Sequence, residues 1–149
     1  IWRSRTEIDD FPHGWSPPTL AYCGDVFEAN HVYKLADRSG YLNLVEAQRP
    51  DDRRYYKALH AERLDGEWTE VRPAHGGHYA EPDHVQQLAG RWTDSVSHGE
   101  LLRVGHDERL EARAEAPLLF QGVRHADRNG KPYGEIPWGI GLLTPAPAD

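Results

Sequence analysis

Seven short extended runs, each closed by a turn signal, leave this chain few folds to choose from. They are Tyr22–Leu35, Tyr41–Glu46, Arg54–His60, Glu67–Val71, Val96–Val104, Leu118–Val123 and Ile136–Leu143. Turns between them come from Asp37–Gly40, Arg49–Asp52, Asp65-Gly66, Gly76-Gly77 and Asn129-Gly130. Only Asp83–Ala89 and Asp107–Ala116 are compatible with helix, and the second reads equally as strand and turn. Many short strands with regular turns predict an all-β sandwich, barrel or propeller.

An internal echo selects among these. Trp2–Thr6 leads through Asp10–Gly14 to Trp15, and Tyr56–His60 leads through Leu64–Gly66 to Trp68 and a further strand. Glu28–Val32 and Glu100–Val104 each head the next unit. A period of roughly 50 to 70 residues holding four strands suits propeller blades. Residues 1–20 then read as the outer strands of one blade, 22–72 as a whole blade and 94–145 as another, with the His- and Gly-rich Pro73–Leu88 inserted between them. About two and a half blades cannot close a ring that needs at least about four. The expectation is a chain incomplete at its front, in keeping with a start at Ile1 without Met.

At 149 residues the chain can bury a core of its own. Its 17 basic and 24 acidic side chains give −7, and no basic run interleaves with aromatics. That balance argues against nucleic acid or an anionic membrane surface as partner. No stretch approaches the ~18 apolar residues of a membrane span, and the first residues do not resemble a signal peptide. Cys23 has no partner for an internal disulfide and reads as a small packed residue. Five Trp and seven Tyr suit either stacking on sugar faces or packing between twisted sheets.

Chemistry concentrates in Phe27–Leu35 and Tyr41–Ala47, which read as one hairpin with an acidic residue on each strand. A carboxylate among apolar neighbours is costly to desolvate, which favours its protonated form. Innermost blade strands line the central channel, and their first residues face its mouth. That places Glu28 and Ser97–Glu100 near the axis. Glycoside hydrolysis needs a protonated carboxylic acid over the leaving oxygen and a second carboxylate across the sugar. Glu28 suits the acid role; the competing reading is a rim Glu paired with an Arg.

In chain order, Phe27-Glu28-Ala29 with Val32-Tyr33-Lys34, Tyr41–Ala47, Asp51–Tyr56, Leu64–Thr69, Trp92-Thr93 with Ser97–Leu101, Leu119–Gly122 and Tyr133 with Ile136–Leu143 resemble glycoside hydrolase family 62. These are α-L-arabinofuranosidases acting on arabinoxylan, and the matches run from about Trp2 to Leu143. The resemblance implies a five-bladed β-propeller, of which this chain matches the C-terminal half. It also implies an inverting hydrolase with a base Asp, an Asp that tunes the acid, and a general acid Glu. Glu28 matches the acid; the two Asp residues belong to earlier blades, and Asp9 and Asp10 do not replace them. His98 matches a His near a bound calcium ion in the channel, and calcium's preference for oxygen implies contact partly through water. Ser95–His98 departs from the family's usual Asp-Ile-Ser-His, with Asp94 one place earlier. Trp138 stands where the family has a Tyr expected to touch the arabinose; a Trp stacks but lacks the hydroxyl. Tyr133 and Glu100 complete the expected substrate contacts.

The implied reaction is release of α-L-arabinofuranosyl side groups from arabinoxylan or arabinose-substituted oligosaccharides by a secreted protein. The isolated chain is expected to be inactive, since its base is missing. The alternative from another class is a non-catalytic carbohydrate-binding propeller using Trp138, Tyr133 and Trp92; a family 43 xylosidase or arabinanase is a third. His75-Gly-Gly-His78 with Asp83 and His84 has metal-like spacing but no fourth ligand, and reads as a loop. A Ser97–His98 dyad is opposed by strand alternation, which points neighbours to opposite faces. Asp51–Arg54 reads as a solvated turn.

Overall fold

The computed structural model describes residues 1–74, 76–106 and 108–146. Among them are ten strands, three 3₁₀ turns and one α-helix, α1 (His125–Arg128). The strands are β1 (Trp2–Arg3), β2 (Thr19–Leu20), β3 (Glu28–Leu35), β4 (Tyr41–Gln48), β5 (Arg54–Ala61), β6 (Thr69–Val71), β7 (Ser97–Leu101), β8 (Glu111–Ala112), β9 (Leu118–Gly122) and β10 (Gly139–Leu143). The all-β reading therefore holds. They form a two-stranded sheet β1-β2, a five-stranded sheet β6-β5-β4-β3-β8 and a three-stranded sheet β10-β9-β7.

β3 to β6 run as an antiparallel meander, the arrangement that short connections favour. At the β3–β4 turn Gly40 has φ +89, and a Cβ there would come within 2.7 Å of the Ala61 carbonyl. Both constraints demand glycine. β8 adds in parallel to the far edge of β3, so the ambiguous 107–116 window resolves as strand for Glu111–Ala112. The helix-compatible 83–89 window yields only a 3₁₀ turn over Pro82–His84, preceded by the extended Glu81. Cys23, read as packed, is exposed.

Apolar residues cover the five-stranded sheet on both faces. Tyr33, Leu42, Leu44, Tyr56 and Ala58 pack with Val96, Leu101, Leu118 and Phe120 of the three-stranded sheet and its approach. On the other face Val45, Leu59, Ala61 and Trp68 pack with Ile1, Ala21 and Tyr22 of the N-terminal segment. β4 is accordingly buried from Leu42 to Ala47, a continuous run rather than an alternation. Trp92 stacks on Phe120 at 5.8 Å and fills the lane left by Gly122, Gly139 and Gly141. A Cβ at Gly141 would lie 2.6 Å from the Trp92 ring. Trp92 is thus committed to packing rather than to a sugar-stacking surface.

Candidate active site

Two β-bulges position the site. Glu28 pairs with Glu46 but His31 pairs with Leu44, so β3 carries one residue more than β4 across this interval. Plain alternation back from Tyr33 would put Phe27 and Ala29, not Glu28, on the face toward β7. The extra residue, with Ala29 at φ +52, turns Glu28 onto that face. On β7, Ser97 pairs with Gln121 and Glu100 with Leu119, a second bulge, with His98 at φ +42. Strand alternation fails here, and Ser97 Oγ and His98 Nδ1 come to 2.8 Å after all.

The residues these bulges bring together surround Arg54, the first residue of β5. Its Nη1 donates to Glu28 Oε1 at 3.1 Å and to Glu46 Oε1 at 2.8 Å. Glu28 and Glu46 are direct cross-strand partners, an arrangement of like charges that is unfavourable without a cation between them. The Arg54 guanidinium also lies 3.8 Å from the centre of the Phe27 ring, a cation–π contact. Arg54 is therefore no part of a solvated turn; its side chain is 13% exposed.

Glu46 is fully buried at 0%. Besides Arg54, it accepts from Ser97 Oγ at 3.0 Å and from the His98 backbone N–H at 2.8 Å. Tyr56 OH lies 3.5 Å from its other oxygen, and burial pushes that phenol well above its ordinary value. Ser97 has one hydrogen, and giving it to Glu46 leaves its oxygen to accept from His98 Nδ1–H. The other ring nitrogen, His98 Nε2, faces Glu28 Oε1 at 3.7 Å.

The apolar shell expected around Glu28 is not formed by its neighbours. Its side chain is 44% exposed, Phe27 is exposed too, and the carboxylate bonds Arg54. The carboxylate that the hairpin buries is Glu46. Beside this cluster opens a cleft of about 310 Å³ walled by Arg54, Ser97, His98, His125, Tyr133 and Trp138, among others. Trp138 and Tyr133 stand with ring centres 6.1 Å apart on its wall. Glu100 is not among the lining residues; it pairs with Arg103 at 3.3 Å. Asp94 accepts from the His125 N–H at 2.7 Å and so fixes the start of α1.

Glu28, Glu46 and His98 offer ligand atoms within 4.8 Å of one another. Calcium takes about six to eight oxygens, whereas this set gives two carboxylates and an imidazole. Both carboxylates are already taken up by Arg54. The described residues do not by themselves fit the ion. Of the other spacing noted in the sequence, His75 lies outside the described residues, His78 bonds Glu70 at 2.8 Å, and His84 pairs with Glu81 at 3.4 Å.

Stacked sheets whose bulged strands aim carboxylates, a guanidinium and an imidazole at the edge of an aromatic-walled cleft define an all-β protein with an acid-bearing surface site. The chain belongs to glycosyl hydrolase family 62, whose sequence model matches residues 1–144. It is 35% identical over 150 residues to alpha-L-arabinofuranosidase C of Cellvibrio japonicus, covering 96% of this chain and 24% of that protein. Among solved structures, the catalytic domain of a Coprinopsis cinerea family 62 α-L-arabinofuranosidase superposes with a TM-score of 0.82 at 32% identity, over 96% of this chain and 46% of that one. A family 62 hydrolase in complex with xylotriose gives 0.81 at 30% identity, over 97% and 46%. The Podospora anserina α-L-arabinofuranosidase in complex with cellotriose gives 0.81 at 34%, over 96% and 46%. The chain thus spans about a quarter of the curated relative and just under half of these solved structures.

Proposed function

We propose that this chain is the C-terminal part of a secreted five-bladed β-propeller. In this reading it hydrolyses α-L-arabinofuranosyl side groups from arabinoxylan with inversion and supplies the general acid, Glu28. The observation that carries the reading is the convergence of Glu28, Arg54 and His98 beside an aromatic-walled cleft, in a chain matched to the family over residues 1–144. The covered faces of the five-stranded sheet are what a blade stacked between two neighbours would have.

Glu28 gives its proton to the glycosidic oxygen as the bond to the anomeric carbon breaks, and water attacks from the opposite face. Glu28 is not itself among the cleft's lining residues; its half-exposed side chain reaches Arg54 and His98, which are. Glu46 neutralises Arg54 from behind, and the His98 ring stands 3.7 Å from the Glu28 carboxyl on its other side. Glu46 cannot be the base. It is sealed from water and shares one guanidinium nitrogen with Glu28, whereas inverting pairs stand about 6.5–9.5 Å apart to admit the water. Asp52 lies on the cleft wall with its carboxylate engaged by Gln48, so the base is assigned to the preceding blades. Calcium near His98 would draw its oxygens from water and those blades; no step is assigned to it. Trp138 and Tyr133 offer flat faces to the sugar.

In the complete protein, Glu28→Gln is expected to lower arabinose release from arabinoxylan by about 10²–10⁴-fold. An aryl arabinofuranoside whose leaving group needs no proton should lose far less, and NMR of the first-formed anomer reads the inversion. Equal retention of activity on both substrates would reduce Glu28 to a rim residue, whereas binding without any arabinose release by the wild-type protein would favour the binding module.

A further inference from the structure

The cleft carries a charge pattern that the hydrolytic reading leaves unused. In a chain of net charge −7, its wall holds Arg54, Arg128 and Lys131 against the single carboxylate of Asp52. Arg54 is neutralised by Glu28 and Glu46. Arg128 is not: its Nη1 donates to the backbone carbonyl of Asp52 at 2.5 Å, and among the described residues it forms no ion pair. Nor does Lys131, which is exposed on the turn after α1. Two cations without a close ion pair among the described residues therefore stand on one wall, Lys131 within electrostatic reach of Asp127, next to the flat rings of Tyr133 and Trp138.

A second observation concerns unmet hydrogen bonds. Arg54 Nε, His125 Nδ1 and Trp138 Nε1 are buried without a partner among the described residues, and all three belong to residues of this wall. Such groups are costly unless a ligand oxygen or an ordered water completes them. Those nitrogens are sealed from the cleft as it stands; the cations and flat rings that do face it fit a sugar bearing a carboxylate. The acidic surface elsewhere disfavours a polyanion.

We propose that Arg128 and Lys131 bind the carboxylate of a hexuronic acid residue carried on the same polysaccharide, close to the arabinofuranose released at Glu28. The proposal rests on the hydrolytic reading for its substrate. A guanidinium offers a planar pair of donors to a carboxylate, and the lysine adds a mobile point charge at the rim.

The test compares two arabinose-substituted xylo-oligosaccharides, alike except for one glucuronic acid branch on a neighbouring xylose, with the complete protein. At low salt, kcat/KM is expected to be about five- to tenfold higher with the branch, the advantage shrinking as salt screens the charge. Lys131→Glu should bring the ratio to one or below, and Lys131→Arg should restore it. A ratio of one in the wild type, or one unmoved by Lys131→Glu, overturns the proposal. If neither substrate releases arabinose, the hydrolytic reading has failed. The subsite is then read from binding of glucuronic acid-branched xylotriose against plain xylotriose: tighter binding that Lys131→Glu abolishes supports it, and equal binding overturns it.

Discussion

His98 holds a left-handed backbone, φ +42, in the middle of a bulge, a conformation that costs an L-residue with a Cβ roughly 1–2 kcal/mol. Its N–H is held there by buried Glu46, and the same conformation puts its imidazole between Ser97 and Glu28. Strain of this kind persists where surrounding contacts over-determine it. Replacing His98 by Gly and by Ala removes the same imidazole, but only Gly relieves the backbone. His98→Gly is expected to be about 1 kcal/mol more stable than His98→Ala in urea unfolding, with activity of the complete protein lost in both. Equal stabilities would mean that the backbone is unstrained. A buried carboxylate was legible in the hairpin but lies on the other strand, for Glu46 rather than Glu28 is sealed from solvent, among polar partners. Arg54 was obscured by its position in a run of four charged residues, where only the strand start at residue 54 separates it from the turn.

Strand identities were readable from composition and turns because β3, β4, β5 and β9 each carry residues that fit a pleated, buried surface. The bulges were not readable, since one extra residue leaves no compositional mark, and without them Glu28 and His98 point to the wrong faces. The Pro73–Leu88 insert is likewise less loose than its glycines and histidines imply. Tyr56 and Ala80 exchange backbone hydrogen bonds at 3.0 and 3.2 Å, and Arg49 bonds Asp83 at 2.8 Å and Glu81. The Arg49 hydrogen bond holds the Asp83 carboxyl below its ordinary 3.8. Burial works to raise Glu81, but hydrogen bonds from Arg49 and the His78 N–H outweigh it and hold that carboxyl below its ordinary 4.5. Both native-state values are depressed, so the stabilisation is fully present above the ordinary values and is lost as pH falls through the lowered ones. The Asp83 share is small, as its side chain is 39% exposed. Arg49→Met is expected to cost about 2 kcal/mol at pH 7, and the gap from wild type should close as pH falls below about 4.5. A gap that stays constant down to pH 3 would show that these carboxylates are not what Arg49 stabilises.

At the scale of the molecule the two larger sheets are treated unequally. The five-stranded sheet is covered on both faces, whereas Leu119, Ile140 and Leu142 of the three-stranded sheet lie on an uncovered face, the last two 68% and 55% exposed. Leu119 and Leu142 are direct cross-strand partners, so the three side chains form one apolar patch, of a kind that marks an interface. The five-bladed ring proposed above gives that patch an occupant, the next blade around the axis. The ring and an open face differ in what a charge there would cost. Ile140→Lys with Leu142→Lys should leave the 149-residue chain within about 0.5 kcal/mol of wild type, since exposed substitutions rarely do more, while reducing its binding of an apolar dye. In the complete protein the same pair should cost several kcal/mol, because closing the ring would bury two unpaired ammonium groups. Unfolding midpoints of the two lengths measure the difference directly. A complete protein as tolerant of the lysines as the shorter chain would mean that this face stays open and that the ring does not close over it.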